Sequence, residues 1–313
     1  MNRRDFIRQL GLGLAAGWVC GQVSWPFPAR AADPQVRLAL VADSHLRSGA
    51  GRLPEAQALA RAVAEINALK PAPDLVLCAG DLAHKGRPDA LDLGREILSD
   101  LVVPLWAVPG EGDYGRGGAA PWIRRFGSPR FSRSWRGVHF LGLATTWHHT
   151  PHGPAFTLGM EQLAWLAREL AGLEAATPLV IISHAPLARL FHPWQHWTAD
   201  APAMAPLLAR FRQVLCLHGH VHGAGAGKAR VGDQLAIAPY GNGLRQVFRT
   251  ANRKLQTANR LLLSLPATAW PLPAALQGTP AFVRPGVGPH GCGWTLVTLN
   301  GNEATFHPYL WQA

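Results

Sequence analysis

Lysine is scarce in this 313-residue chain, at 4 residues against 26 arginines. No run of more than two consecutive basic residues occurs, so no strong footprint of a nucleic-acid binder is present and nucleic acid is not an expected partner. Acidic residues are also few, 19 in all, which leaves a formal charge of +11. Such an excess favours anionic partners through long-range attraction. A bias toward Arg, Ala, Gly and Pro can equally reflect base composition, and a nuclease reading would rest on charge alone. Cysteine numbers 4, too few for a disulfide scaffold. Cys78 and Cys216 fall inside the apolar runs LVLCAG and VLCL and read as small buried hydrophobes; setting Cys20 aside, Cys292 leaves the count odd. After the first 31 residues no apolar segment approaches the roughly 20 residues that a membrane-spanning helix needs. Gly and Pro are plentiful instead, at 33 and 26 residues, so many turns and loops are expected in a globular chain.

The amino terminus reads separately. NRRDFIRQ (2–9) is followed by the apolar LGLGLAAGWVCGQVSW and by Ala29-Arg30-Ala31, a small-residue cleavage pattern. It resembles a twin-arginine export signal, with Arg3 and Arg4 as the pair. The apolar run holds four glycines and ends at Pro26 and Pro28, which argues against a stable membrane anchor. The resemblance implies residues 1–31 as a signal peptide, the twin-arginine export machinery as a partner, and a periplasmic or secreted protein. Arg3, Arg4, Asp5, Arg8 and Arg30 contribute +3, so the remainder carries +8.

From Pro34 onward strands alternate with helices. VRLALVAD (36–43), DLVLCAGDLAHKG (74–86), PLWAVPGEGDYG (104–115), VHFLGLAT (138–145), PLVIISHAPL (178–187) and VLCL (214–217) are short, branched, near-continuous apolar runs, as expected of strands buried on both faces. Helices are expected over 54–70, where Pro54 starts and Pro71 stops the run, over 88–101, as one turn at 122–127, and over 158–173 with Leu163, Leu166, Ala167 and Leu170 on one face. APAMAPLLARF (201–211) precedes the VLCL strand, and LAIAPYG (235–241) reads as a further strand. Beyond residue 245 come LLLSLPATAWPLP (261–273) and a hairpin, with 294–299 and 303–311 flanking Asn300-Gly301-Asn302. That tail, 246–313, reads as a β-rich completion of the same domain.

Polar residues gather where the strands end. Asp43 and His45, Asp81, Glu111 with Asp113, His184, and His220 with His222 each follow an apolar run, and one parallel-type sheet would bring them to a single edge, where α/β proteins bind ligands. Mixed carboxylates and imidazoles suit Zn, Mn, Fe or Ni rather than Ca or Mg. His218 stands in front of the Gly-His-x-His motif, at the end of the apolar run, and a structural role is expected of it.

The order Asp-x-His, Gly-Asp, a third Gly-rich motif, a lone His and Gly-His-x-His resembles the calcineurin-like metallophosphoesterase superfamily over residues 36–245. The resemblance implies an α/β fold, a four-layer αββα sandwich with a C-terminal β hairpin. It also implies two divalent or trivalent metal ions (Mn, Fe, Zn or Ni). Asp43, His45 and His222 would hold one, His184 and His220 the second, and Asp81 would bridge them. The activity implied is hydrolysis of a small-molecule phosphate ester, phosphomonoester or phosphodiester, by a hydroxide held between the metals, with Asp81, Asp113 and His184 as the catalytic set. LGMEQLAWLAREL resembles a helix between the family's third and fourth motifs, and LPATAW a strand that follows its last motif in cyclic-nucleotide-phosphodiesterase-like members.

The third motif departs from the pattern. Gly110-Glu111-Gly112-Asp113 stands where the family has Gly-Asn-His-Asp. Glu111 replaces an Asn that gives its carbonyl oxygen to the second metal, and a carboxylate can hold that metal while lowering the net positive charge of the site. Gly112 replaces a His that assists the leaving group, help typically worth about 10²–10⁴-fold. Either hydrolysis survives with that assistance missing or supplied elsewhere, by His84, His148, His149 or His152, or the chain is a metal-binding pseudoenzyme or phosphate-ligand binder. His192 and His196 read as loop packing, and Arg116, Arg124 and Arg125 as a solvated basic face.

Overall fold

The computed structural model describes residues 21–24, 35–48, 53–115, 118–150, 153–187, 197–222, 225–228, 238–239, 260–269, 292–300 and 303–311. In chain order the strands and main helices are β1 (Gly21–Ser24), β2 (Val36–Val41), α1 (Pro54–Ala68), β3 (Leu75–Cys78), α2 (Pro88–Leu98), β4 (Leu105–Ala107), α3 (Ala120–Phe126), β5 (Phe131–Trp135), β6 (Val138–Leu143), β7 (Thr146–Thr150), β8 (Gly153–Thr157), α4 (Met160–Ala171), β9 (Leu179–Ser183), β10 (Val214–His218), β11 (Gly225–Lys228), β12 (Ala238–Pro239), β13 (Arg260–Ser264), β14 (Cys292–Asn300) and β15 (Glu303–Trp311). Among the described residues no helix is long and apolar enough to cross a membrane.

Two sheets form. One runs β1-β15-β14-β2-β3-β4, the other β12-β11-β13-β10-β9-β6-β5, and β7 pairs only with β8. Strand alternation explains why they stack. Val36, Leu38 and Leu40 of β2 enter the core between the sheets together with Val180 and Ile182 of β9 and Leu215 and Leu217 of β10. The intervening Ala39 and Val41 face Ala62 and Ile66 of α1. On the far side Leu179, Ile181, Val214 and Cys216 meet Leu166 and Leu170 of α4. A strand with apolar residues on both faces has to be covered twice. Helix, sheet, sheet, helix is the result, the expected αββα sandwich. The site-bearing strands are not in one sheet, however, as their alternation with helices suggested. β2, β3 and β4 are mutually parallel in the first sheet, and β6, β9, β10 and β13 in the second.

Several boundaries differ from the sequence reading. The helix expected at 122–127 starts two residues earlier, at Ala120 with Pro121 in its first turn, and that expected at 88–101 ends at Leu98. LPATAW is not a strand: β13 stops at Ser264, and Leu265–Thr268 leaves the ladder to bond elsewhere. β5 and the β7–β8 hairpin were not foreseen, because FSRSW and TWHHT are too polar to show a buried face. Cys78, Cys216 and Cys292 are all buried, and among the described residues no disulfide joins them. Arg116, His152, His192, His196 and residues 301–302 lie outside the described residues, as do most of 1–31 and of 235–241.

β14 is the central strand on its side, paired antiparallel with both β2 and β15. Its Trp294 is fully buried, lies parallel to Tyr309 at 4.1 Å between ring centroids, and donates its indole N–H to Glu65 of α1 at 2.9 Å. Trp294→Ala should therefore lower the unfolding free energy by about 3–5 kcal/mol in urea titrations, while Leu310→Ala, half exposed on the neighbouring strand, should change it by less than about 0.5 kcal/mol.

Candidate metal centre

Each site residue sits just past a strand end, and the backbone there is unusual. Asp43, His45, Asp81, His220 and His222 all have positive φ, between 46° and 66°. Among the described residues only Lys85 and Arg136 share this feature outside glycine. A left-handed conformation at a side chain bearing a Cβ costs of order 1–3 kcal/mol and collects at functional sites. Here it turns five side chains back into the seam between the sheets.

The seam is closed by local bonds. Asp43 N–H donates to Gly80 O and His45 N–H to Asp81 O, tying the first loop to the second. Asp43, completely buried, accepts the N–H of His220 on its carboxylate at 3.0 and 3.1 Å, which ties the first sheet to the second. Gly219 makes that approach possible, since a Cβ there would stand 2.6 Å from Asp43 Oδ2. Thr268, unremarked in the sequence, donates its N–H to Ala42 O and accepts Ala42 N–H on its hydroxyl, so Leu265–Thr268 braces the start of the first loop.

The side chains fall into two sets. Asp43, His45 and His222 offer ligand atoms within 4.8 Å of one another, and so do Glu111, His184 and His220. His45 Nε2 and His222 Nε2 are 3.1 Å apart. In the second set Glu111 Oε2 is 2.8 Å from His184 Nε2, and Oε1 is 3.0 Å from His220 Nδ1. Asp81 stands between them: Oδ2 is 3.6 Å from His45 Nε2, and Oδ1 is 3.5 Å from His184 Nε2.

The donor set suits two cations. His184 Nδ1 donates to Ala79 O at 2.8 Å, which fixes the tautomer and leaves the Nε2 lone pair aimed at the seam. That buried Nε2 and Glu111 Oε2 are close, yet neither has a partner in hydrogen-bond geometry among the described residues. Burial holds His45 down to about 4 despite the nearby Asp43, so its imidazole is neutral and free to ligate at pH 7. For Glu111 burial pushes upward, but His220 and His184 outweigh it and keep the carboxyl well below the usual range. Asp81 is raised well above its usual value, by burial first and by the charges of Glu111, Asp113 and Asp43. His184 is pulled down by burial and, more strongly in sum, up by Asp81 and Glu111, ending well above its usual value. Protons and cations compete for these lone pairs, so metal binding would release protons.

Residues 36–224 match the sequence model of the family described as calcineurin-like phosphoesterase. The chain belongs to that family. This phosphoesterase is thus a metal-dependent hydrolase of phosphate esters. It is 27% identical over 194 residues to a probable glycerophosphodiester phosphodiesterase GpdQ of Arcobacter nitrofigilis, covering 58% of this chain and 70% of that protein. A glycerophosphodiester phosphodiesterase GpdQ of Enterobacter lignolyticus is 34% identical over 80 residues, 24% of this chain and 29% of that one. A crystal structure of a dimetal phosphatase from Danio rerio superposes with a TM-score of 0.60 at 14% identity, over 87% of this chain and 95% of that one, a likeness of fold.

Seven of the sequence-predicted residues of the phosphoesterase, Asp43, His45, Asp81, Glu111, His184, His220 and His222, meet at the seam. Asp113 does not join them. It is fully buried behind the third loop, where one oxygen accepts Ala83 N–H at 2.7 Å and the other Gly110 N–H at 2.9 Å. There it holds the second and third loops together, turned away from the seam where a catalytic role was expected of it. His218 is buried with Nδ1 3.0 Å from Gly219 O, in keeping with a structural role, and burial holds it down to about 4. His84 lies beside His45 at 6.2 Å between centroids, while His148 is exposed and bonded to Thr146. Arg125 pairs with Asp92, and Arg124 faces solvent.

Gly112 is more than an empty position. Its N–H donates to Asp81 Oδ1 at 2.6 Å, and a Cβ there would lie 2.8 Å from Ala83 O and 2.9 Å from that same oxygen. The third loop thus packs its backbone directly on Asp81 at Gly112. Asp113→Ala should orphan two buried N–H donors at about 1–3 kcal/mol each, and the expected readouts are a lower urea midpoint and weaker metal uptake by calorimetry.

Proposed function

We propose that this phosphoesterase hydrolyses phosphodiesters at two metal ions, one held by Asp43, His45 and His222, the other by Glu111, His184 and His220. The observation that carries this reading is Asp81, whose two oxygens face the two sets. When bound, such cations supply charge for the phosphoryl oxygens and lower the pKa of the water that attacks phosphorus. Mn, Fe, Zn or Ni fit the mixed ligands. The protein's own part is to hold the ligands rigid. His184 is oriented by Ala79 O, Asp43 by His220 N–H, and Asp81 by Gly112 N–H. Gly112 presents no side-chain proton donor, so the leaving group departs without help from that loop, and esters of acidic alcohols are favoured.

Glu111 supports the diester preference. With Asp43 and Asp81 it makes three ligand carboxylates, one negative charge more than the family's Asn would give. A less positive site penalises the dianion of a monoester more than the monoanion of a diester. The names of the two relatives, both phosphodiesterases, agree. With Mn²⁺, purified protein should turn over bis(4-nitrophenyl) phosphate at least about tenfold better in kcat/KM than 4-nitrophenyl phosphate, and Glu111→Asn should narrow the ratio. Asp81→Asn should lower kcat by about 100-fold or more. Metals bound without turnover of either ester would make the chain a phosphate-ligand binder instead.

The twin-arginine stretch supports export to the periplasm. Cleavage after Ala31 would remove β1, which pairs with β15 through Gly21–Ser24, and leave β15 at the sheet edge. In a bacterium carrying the twin-arginine export machinery, replacing Arg3 and Arg4 together by Lys should trap the full-length chain in the cytoplasm, by fractionation and immunoblot. Unchanged export would end this reading.

A further inference from the structure

Glu111 and His220 form one wall of a cleft of about 1010 Å³, whose other walls include Tyr114, Arg130, Trp147 and Phe156. This is far more room than a phosphoryl group needs, and lies at the upper end of the roughly 300–1,000 Å³ typical of sites for whole small molecules. Trp147, on β7, keeps 43% of its surface exposed there. Behind it Phe156 of β8 is fully buried. Phe156 sits edge-on to Trp147 at 4.7 Å between centroids, and likewise to His220 at 4.7 Å. A single ring therefore separates the open indole from an imidazole of the second ligand set.

The hairpin carrying this pair is anchored. Phe156 O accepts Ala199 N–H at 2.7 Å, and Asp200 accepts the N–H groups of Leu158 and Gly159, both at 2.8 Å. Gln162 ties α4 to the end of β6 through Ala144, from which it accepts one hydrogen bond and to which it donates another. The charge in the cleft is already engaged: Arg130 pairs with Glu161 at 2.8 Å and lies 5.3 Å over Trp165. What the cleft offers is a rigid, flat, apolar surface. An aromatic face that is half exposed in a concave site is suited to stacking on a planar group.

We propose that this cleft binds a planar aromatic or heteroaromatic group carried by the phosphate ester, with Trp147 as the stacking platform and Phe156 setting its distance from the second ligand set. Trp147 is thus a specificity-determining residue, and esters of phenolic type are the substrate class. The assignment rests on the phosphoryl-binding reading above. It also fits Gly112, because phenolic alcohols depart without a donated proton.

Phenylphosphonate and methylphosphonate present the same anionic head and differ only in the group the cleft would read. Titration calorimetry of the full chain loaded with Mn²⁺ should find phenylphosphonate bound at least about tenfold tighter, a stacking gain of the size seen for single rings on aromatic side chains. Trp147→Ala should bring the two to within about twofold, and Trp147→Phe should keep most of the difference, with circular dichroism melts confirming that both variants fold. Equal binding of the two probes by the native chain would overturn the cleft's assignment while leaving the phosphoryl site intact. A preference that survives Trp147→Ala would overturn the role of the indole. Binding of neither probe would remove the phosphoryl-binding reading as well.

Discussion

Across the seam between the two sheets, carboxylates brought by β2, β3 and β4 face imidazoles brought by β9 and β10. Asp43, His45, Asp81 and Glu111 come from one side, and His184, His220 and His222 from the other. Among the described residues, each set of potential ligands draws on both sheets. The bond from His220 N–H to the Asp43 carboxylate ties the two groups directly, and it works because glycine precedes His220. Apolar stacking of the sheets sets the coarse separation, and this charge-assisted contact, with those from His184 to Ala79 O and from Thr268 to Ala42 O, sets the fine registration.

The core between the sheets also absorbs the strain. Five left-handed side-chain-bearing residues would unravel a short loop, each at a cost comparable to a buried hydrogen bond. They persist because the strands leading into them are pinned on both faces: β2 by the core shared with Val180 and Ile182 on one side and by Ala62 and Ile66 of α1 on the other, β10 by that same core and by Leu166 and Leu170 of α4. Backbone bonds from Asp43, His45 and Leu46 to the second loop, and from Thr268 to Ala42, over-determine the turn further.

Most of this could be read from the chain, for a physical reason. Residues such as Asp43, Asp81 and His184 lie within two or three positions of apolar runs, and a doubly covered strand betrays itself by having no polar face. Glu111 was visible for the same reason. The direction of Asp113 was not legible, because sequence spacing cannot tell a carboxylate aimed into a site from one aimed at the backbone behind it. The assignment of the strands to two sheets was hidden as well, since alternation with helices looks the same for one sheet or two. Trp147 and Phe156 were missed with the whole β7–β8 hairpin. Their one signal was a pair of short strand-prone segments, TWHHT and GPAFT, about a Pro-His-Gly turn. Thr268 acts across 226 residues of chain, a distance no local pattern spans.

Gly112 carries a consequence for redesign of the site. With the third loop seated with its backbone against Asp81 and Ala83, a side chain at this position meets the Ala83 carbonyl and the Asp81 carboxylate at once. Introducing an imidazole would need both to retreat together, and the Asp81 oxygen concerned is the one that Gly112 N–H holds. A substitution here is therefore coupled to the placement of Asp81, and a new proton donor is more easily installed elsewhere in the cleft.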